Sequence, residues 1–225
     1  MEKYIIIVAG GKGLRMGGDI PKQFLPIEGK PVLMRTIDSF VNYDKAINVI
    51  VVLPIDHQSY WAELCKKYQF NTPHTIANGG ETRFHSVKNG LALVPNSSNC
   101  VVGVHDGVRP FANNTTISVA YETADKKGTA IPVIDCVDSI RRTSENGNKA
   151  EDRSLYKLVQ TPQVFKADLL HKAYEQDFTN LFTDDASVVE AAGHPVELTP
   201  GNRENIKITT PFDLIIAEAL VKHAE

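Results

Sequence analysis

Runs of consecutive apolar residues alternate along the chain with stretches in which apolar residues recur every three or four positions. Continuous apolarity indicates strands buried on both faces, as in the centre of a parallel sheet, and it occurs at residues 4–8, 48–53 and 100–104. The spacing of amphipathic helices is found between them, at residues 33–41, 61–68 and 87–94. Strands and helices in alternation predict an α/β fold with a doubly wound, mostly parallel sheet.

The pattern changes at residues 138–158, where polar residues surround an Asn146-Gly147 pair. This dipeptide is typical of a β-hairpin turn. The flanks are too polar for a core strand pair, so the sequence predicts a β-arm that protrudes from the main domain. A lone two-stranded hairpin is marginal in water, so we expect the arm to pack on a second subunit; a floppy surface loop is the alternative.

Further elements are predicted beyond the arm from the same kinds of pattern. They are helices near residues 166–175 and 184–191, a strand near 196–198, and a closing helix over 211–223.

Length, charge and cysteine content limit the classes of protein to consider. The 225 residues suit one domain over 1–225 with the arm as an appendage. A net charge of −3 provides no general positive field for nucleic acid or an acidic membrane surface. No apolar run is long enough for a membrane span, and three scattered cysteines suit a reducing compartment. We therefore expect a cytoplasmic protein without nucleic-acid or membrane partners.

A glycine-rich loop follows the first predicted strand. Gly10, Gly11 and Gly13 fall within four residues, and such a loop brings backbone N–H groups close to phosphate oxygens. The loop fits neither the dinucleotide fingerprint nor the P-loop pattern. Arg15 and Lys22 add a forked donor and a point charge, which suit a triphosphate and its transition state. A flexible turn with solvated cations is the alternative.

The end of another predicted strand carries an acid. Asp106 is well placed to hold Mg²⁺, which prefers carboxylate and phosphate oxygens, although an acid at a strand end can also cap a helix. Arg109 either binds an anion or holds Asp106 in place, and His105 is interpreted as structural. Lys207, between two isoleucines, is predicted to alternate outward from an apolar strand, where it faces either solvent or the cleft.

Six short segments, taken together, resemble the sugar-phosphate cytidylyltransferases over residues 8–220. The resemblance is closest to the group that acts on 2-C-methyl-D-erythritol 4-phosphate in non-mevalonate isoprenoid biosynthesis. The segments are the glycine loop with Pro21-Lys22-Gln23, Gly79-Gly80-Glu81-x-Arg83-x-x-Ser86-Val87, His105-Asp106-x-x-Arg109-Pro110, Thr161-Pro162-Gln163, Thr183-Asp184-x-Ala186-Ser187 and Asn205-Ile206-Lys207.

The resemblance implies a Rossmann-like nucleotidyltransferase fold and a role for each matching residue. Arg15 and Lys22 would grip the triphosphate of CTP and stabilise the pentavalent phosphorus, with Lys207 assisting, and Asp106 would hold Mg²⁺. The nucleotide would be read by Ala9, Gly10, Gly11, Gly13, Gly80, Glu81 and Ser86. The polyol phosphate would be surrounded by Asp106, Arg109, Ser139, Arg153, Thr161 and Thr183. Arg153, on the arm, would reach into the partner's site of a homodimer.

The sequence departs from the family pattern at two places, and the first keeps another substrate open. Gly107 and Val108 stand where the family usually has two alanines, which is a step toward the ribitol 5-phosphate cytidylyltransferases. The spacing from Arg15 to Lys22 favours the methylerythritol type instead. At the second place, Ser139 stands where the family usually has threonine, a mild change because serine keeps the hydroxyl. A non-catalytic nucleotide-binding module on the same fold is the third hypothesis, and it has no need of the full set of charges.

Overall fold

A mostly parallel sheet of eight strands forms the centre of the protein, as described by a computed structural model for residues 1–11 and 20–224. The strands are β1 (Glu2–Val8), β2 (Pro26–Ile27), β3 (Lys30–Pro31), β4 (Asn48–Leu53), β5 (Thr75–Asn78), β6 (Cys100–Asp106), β7 (Thr129–Asp135), β8 (Ile140–Ser144), β9 (Gly147–Glu151), β10 (Lys157–Val159), β11 (Gln163–Lys166) and β12 (Leu198–Pro200). Of these, β2 pairs with β3 and β8 pairs with β9 in two small hairpins outside the large sheet. The middle of the large sheet runs β11-β6-β1-β4-β5, and β7 pairs with β11, β10 and β12.

Helices cover both faces of this sheet. They are α1 (Val32–Tyr43), α2 (Ile55–Lys67), α3 (Arg83–Leu91), α4 (Asn114–Lys127), α5 (Ala167–Ala173), α6 (Asp185–Ala191) and α7 (Pro211–Ala224). Ile5 and Ile7 of β1 pack in one core cluster with α1, α2 and α4. Ile6, which points to the opposite face because side chains alternate along a strand, packs in a second cluster with α3, α5 and α6. The predicted doubly wound fold is confirmed.

The register of the sheet brings the carboxyl ends of its parallel strands together. Val8 of β1 lies opposite both Val52 of β4 and Asp106 of β6. All seven residues of β6 are buried, so the acid at its end is carried by a rigid element. In open α/β sheets ligands bind beyond these ends.

The predicted arm is present as a hairpin. β8 and β9 pair with each other from Ile140↔Glu151 to Ser144↔Gly147, so Glu145-Asn146 forms the turn and Gly147 follows it. Gly147 has φ +121°, in the region that favours glycine. Within the described chain the hairpin is a separate two-stranded sheet, and β10 then returns to pair with β7.

Some elements differ from the sequence-based prediction. The pattern did not predict α4, β5, β7 or β11, and the strand expected near 196–198 lies at Leu198–Pro200. Lys207 stands in irregular chain rather than on a strand. No helix among the described residues could cross a membrane.

Candidate active site

A cavity of about 530 Å³ opens at the carboxyl ends of β1, β4, β5 and β6. It contains most of the predicted nucleotide-binding residues together with three predicted charged groups. The predicted residues that line it are Ala9, Gly10, Gly11, Lys22, Gly80, Glu81, Ser86, Asp106 and Lys207. Gly13 and Arg15 lie outside the described residues.

One wall of the cavity is the start of the glycine loop, which backbone hydrogen bonds hold against the sheet. Ala9 N donates to Val52 O (3.0 Å). The buried side chain of Gln23 donates from Nε2 to Ala9 O (2.8 Å). Gln23 belongs to the 3₁₀ turn Lys22–Phe24, so the same bond fixes Lys22 relative to the loop.

A second wall is the turn that leads into α3. Gly80 N donates to Ser86 Oγ (3.0 Å), which folds the turn over the first residues of the helix. A Cβ atom at position 80 would lie 2.4 Å from the Cβ of His85, so only glycine allows this close approach. Thr82 caps α3 by accepting from His85 N.

Asp106 lies at the centre of a cluster of cations. Lys207 Nζ and Arg109 Nε contact its Oδ2 at 3.0 and 3.1 Å. Burial alone would raise the pKa of this carboxyl, but the charges of Lys207, Arg83 and Arg109 hold it well below its ordinary value. Asp106 is therefore ionised at neutral pH, and the surrounding charge is positive on balance.

The sequence left two positions open for the side chains of Arg109 and Lys207, and the structure shows where each one lies. Arg109 Nη1 also donates to Asn205 O (2.7 Å), so its guanidinium holds Asp106 and the chain before Lys207 in place. Lys207 faces the cavity, because it both lines it and pairs with Asp106.

His105 and Thr161 support Asp106 from the protein interior. His105 is fully buried, and its Nε2 lies 2.9 Å from Arg109 O, which can only accept a hydrogen bond. Nδ1 is then the acceptor for the Thr161 hydroxyl (2.9 Å), and Thr161 Oγ1 accepts from Asp106 N (3.1 Å). Burial lowers the pKa of His105 to about 4, so the ring is neutral at pH 7, which fits its interpretation as a structural residue.

Replacing Thr161 with Val, which has nearly the same shape, is expected to lower the free energy of unfolding by about 2–4 kcal/mol, because two buried polar groups lose their partner. Chemical denaturation with urea measures this. Thr161→Ser is the matched control, since it keeps the hydroxyl, and it should cost no more than about 1.5 kcal/mol for the lost methyl group. Equal losses in the two variants would contradict the role given to the hydroxyl.

Asp106 lines the cavity, but the other five predicted substrate-binding residues do not line the cavity of their own chain. Arg109 and Thr161 contact Asp106 instead. Ser139, Arg153 and Thr183 are all exposed. Arg153 begins the 3₁₀ turn after β9, and its guanidinium donates to Val137 O. Thr183 directly precedes Asp184, which caps α6 in a capping box with Ser187.

Several residues at the cavity were not singled out from the sequence. Gln23 and Arg83 line it, although each was noted only as part of a motif. Asp56, in the first turn of α2, also lines it. Asp56 could have been predicted from its position, because it follows a buried strand and Pro54, and ligands bind beyond the carboxyl ends of parallel strands.

The start of a glycine loop, two lysines and a strand-end carboxylate around one cavity are typical of a nucleotidyltransferase, and comparison with known proteins shows that class. The family model "IspD: 2-C-methyl-D-erythritol 4-phosphate cytidylyltransferase" matches residues 4–223. A protein of that name from Phocaeicola vulgatus is 60% identical over 221 residues, covering 98% of this chain and 100% of the relative. The chain belongs to the 2-C-methyl-D-erythritol 4-phosphate cytidylyltransferase family, whose members serve isoprenoid biosynthesis.

Solved structures agree with this assignment. The crystal structure of 4-diphosphocytidyl-2C-methyl-D-erythritol synthase from Anaerococcus prevotii matches with a TM-score of 0.82 and 27% identity, covering 98% of this chain and 96% of that one. The 2-C-methyl-D-erythritol 4-phosphate cytidylyltransferase of Thermus thermophilus matches with a TM-score of 0.76 and 30% identity, covering 99% and 100%.

Proposed function

We propose that the chain binds CTP in the cavity and transfers CMP to 2-C-methyl-D-erythritol 4-phosphate. An oxygen of the acceptor phosphate attacks the α-phosphorus of CTP in line, the bond to the β-phosphate oxygen breaks, and pyrophosphate leaves. The observation that carries the proposal is that Lys22, Lys207 and Asp106 line one cavity with the glycine-rich walls. The phosphate nucleophile needs no base, which agrees with the neutral, buried His105.

The two glycine-rich walls provide the nucleotide subsite. Ala9, Gly10 and Gly11 offer backbone groups on one side, and Gly80, Glu81 and Ser86 enclose the other. Gly13 and Arg15 complete this subsite on the strength of the family resemblance. Lys22 contributes a positive charge to the triphosphate, where transition-state charge builds up on the phosphoryl oxygens.

Asp106 is the residue that would hold Mg²⁺. No group of three or more His, Cys, Asp or Glu side chains within residues 1–11 and 20–224 could hold a metal ion, so Asp106 would hold the ion together with at most one further side chain of these types. This donor set fits Mg²⁺, which is commonly bound by one or two carboxylates, substrate phosphates and water. When bound, the ion would neutralise charge on the phosphates.

Five predicted residues are proposed to serve the acceptor: Thr161, Arg109, Ser139, Arg153 and Thr183. Thr161 and Arg109 do so by supporting Asp106. Ser139 and Arg153 do so from the arm of a homodimer. Leu155 (79% exposed), Leu158 and Val159 leave apolar surface uncovered at the base of the arm, as expected where a second subunit packs. A cytoplasmic enzyme fits the three free cysteines.

Pyrophosphate release is the direct test of this function. Purified protein with CTP and Mg²⁺ is expected to release pyrophosphate when methylerythritol phosphate is added and to remain near background with ribitol 5-phosphate. Removing the metal with EDTA should abolish the release, and added Mg²⁺ should restore it. Release with ribitol phosphate alone would overturn the acceptor assignment. Binding of CTP without release in either case would favour a non-catalytic module.

A further inference from the structure

An ion pair joins the nucleotide side of the cavity to the segment that contains Thr183. Arg83, in the first turn of α3, contacts Asp185, the first residue of α6, with 2.5 Å between Nη2 and Oδ2. The other carboxylate oxygen of Asp185 accepts from the hydroxyl of Tyr174 (2.7 Å). Asp185 is 0% exposed, whereas the Arg83 side chain is 30% exposed and lines the cavity.

The Arg83 end of this pair is part of the nucleotide wall. Arg83 follows Gly80, Glu81 and Thr82, all of which line the cavity. Its helix is capped by Thr82, and Ser86 holds the turn through Gly80 N. The backbone from which the Arg83 side chain extends is therefore held in place.

The Asp185 end belongs to the acceptor segment. Asp184 and Ala186 are tied to the sheet by Gln163, whose Nε2 donates to Asp184 Oδ2 (2.7 Å) and whose Oε1 accepts from Ala186 N (2.9 Å). These bonds tie the segment to β11. On the side of the nucleotide wall, Phe84 stacks on Phe182 (ring centroids 5.6 Å apart), and the contact of Arg83 with Asp185 adds a directional polar link between the wall and the segment.

We propose that Arg83 is a positioning residue, which through Asp185 fixes the acceptor segment against the nucleotide wall and so sets the approach of the acceptor phosphate to CTP. The inference rests on the proposed function, because it takes the Thr183 segment as part of the acceptor subsite. Buried ion pairs add little net stability compared with apolar residues of the same volume. The contribution of this pair is geometric, since a small misplacement of reacting groups costs a large factor in rate.

Asp185→Asn keeps the shape of the side chain and removes its charge, so it tests the pair directly. We expect kcat/KM for methylerythritol phosphate to fall by about 10- to 100-fold, while the Kd for CTP, measured by calorimetry, stays within about threefold of the wild-type value. Arg83→Lys, which keeps the charge but loses the forked geometry, should give a smaller loss of the same kind. If Asp185→Asn does not fold, Arg83→Lys decides the question.

Tyr174→Phe is the matched control, because it removes the other hydrogen bond to the same carboxylate and leaves Arg83 in place. It is expected to lower thermal stability with little change in kcat/KM for the acceptor. The proposal is overturned by an unchanged kcat/KM in Arg83→Lys and Asp185→Asn, by an equal loss of CTP affinity, or by the same catalytic loss in Tyr174→Phe. Failure of the proposed function would show separately, as wild-type protein that forms no product.

Discussion

Replacing Lys22 with Ala is expected to lower kcat by about 10²- to 10³-fold while weakening CTP binding by no more than about tenfold. A charge that stabilises the developing transition state contributes mainly to kcat, whereas a charge that grips the ground state contributes mainly to affinity. Steady-state kinetics with methylerythritol phosphate, combined with calorimetric titration of CTP, separates the two effects.

The structure gives a physical reason for so large an effect from one lysine. Lys22 begins a 3₁₀ turn whose next two residues, Gln23 and Phe24, are buried. Gln23 ties that turn to the glycine loop through Ala9 O. A Cβ placed on Gly11 would lie 3.6 Å from Lys22 Cε, so the lysine stem passes close to the loop and reaches the cavity. Its charge is therefore preorganised, which is the condition for strong electrostatic stabilisation.

A matched control comes from a lysine on the outer surface. Lys127, at the end of α4, pairs with Glu197 away from the cavity, and Lys127→Ala is expected to leave kcat and CTP affinity unchanged within about twofold. Lys22→Arg tests geometry, since it keeps the charge on a bulkier head, and it should recover part of the lost rate. A Lys22→Ala enzyme with normal kcat would refute the transition-state role.

The centre of the fold could be predicted from the sequence because burial of a strand on both faces requires a continuous run of apolar residues. β1, β4 and β6 each contain an unbroken run of apolar residues, so their pattern allows few other structures. β7 escaped prediction because Pro132 interrupts it, and proline argues against a strand unless it lies near an edge or bulge. α4 was not predicted because its buried face combines the large residues Ile117 and Tyr121 with the small or polar residues Thr116, Ala120 and Ala124, which weaken the apolar pattern.

Some residues that line the cavity could be predicted from their chemistry and chain position, whereas Gly80, Glu81 and Ser86 were indicated only by the family resemblance. Asp106 could be predicted from its place at a strand end, and Lys22 from its place after the glycine loop. The direction of the Lys207 side chain could not be predicted, because Lys207 stands in irregular chain, whose sequence has no periodic pattern. The Arg83–Asp185 pair joins residues 102 positions apart, and a contact of that kind depends on how α3 and α6 pack on the sheet.

Replacing Arg153 with Ala is expected to reduce kcat/KM for methylerythritol phosphate by about 10²-fold or more, as for loss of a charged contact to a phosphate, although Arg153 is exposed and does not line its own cavity. The reason is that each arm of the proposed homodimer serves the site of the other subunit. Thermal melting should be almost unchanged, since the guanidinium contacts only Val137 O in the described part of its own chain.

A mixed dimer decides whether Arg153 acts across the interface. In a dimer of one Arg153→Ala protomer and one Lys22→Ala protomer, the site with intact Lys22 receives the intact arm of its partner, and about half of the wild-type activity should return. If Arg153 acts within its own chain, both sites lack one residue and the mixture stays inactive.

The reciprocal dimer must give the opposite result. A protomer that carries both substitutions, paired with a wild-type protomer, leaves the only intact Lys22 facing a mutated arm. Action across the interface then predicts an inactive dimer, whereas action within one chain predicts half activity from the wild-type protomer. Because the two arrangements contain the same residues in the same numbers, a difference between them can come only from which chain supplies the arm.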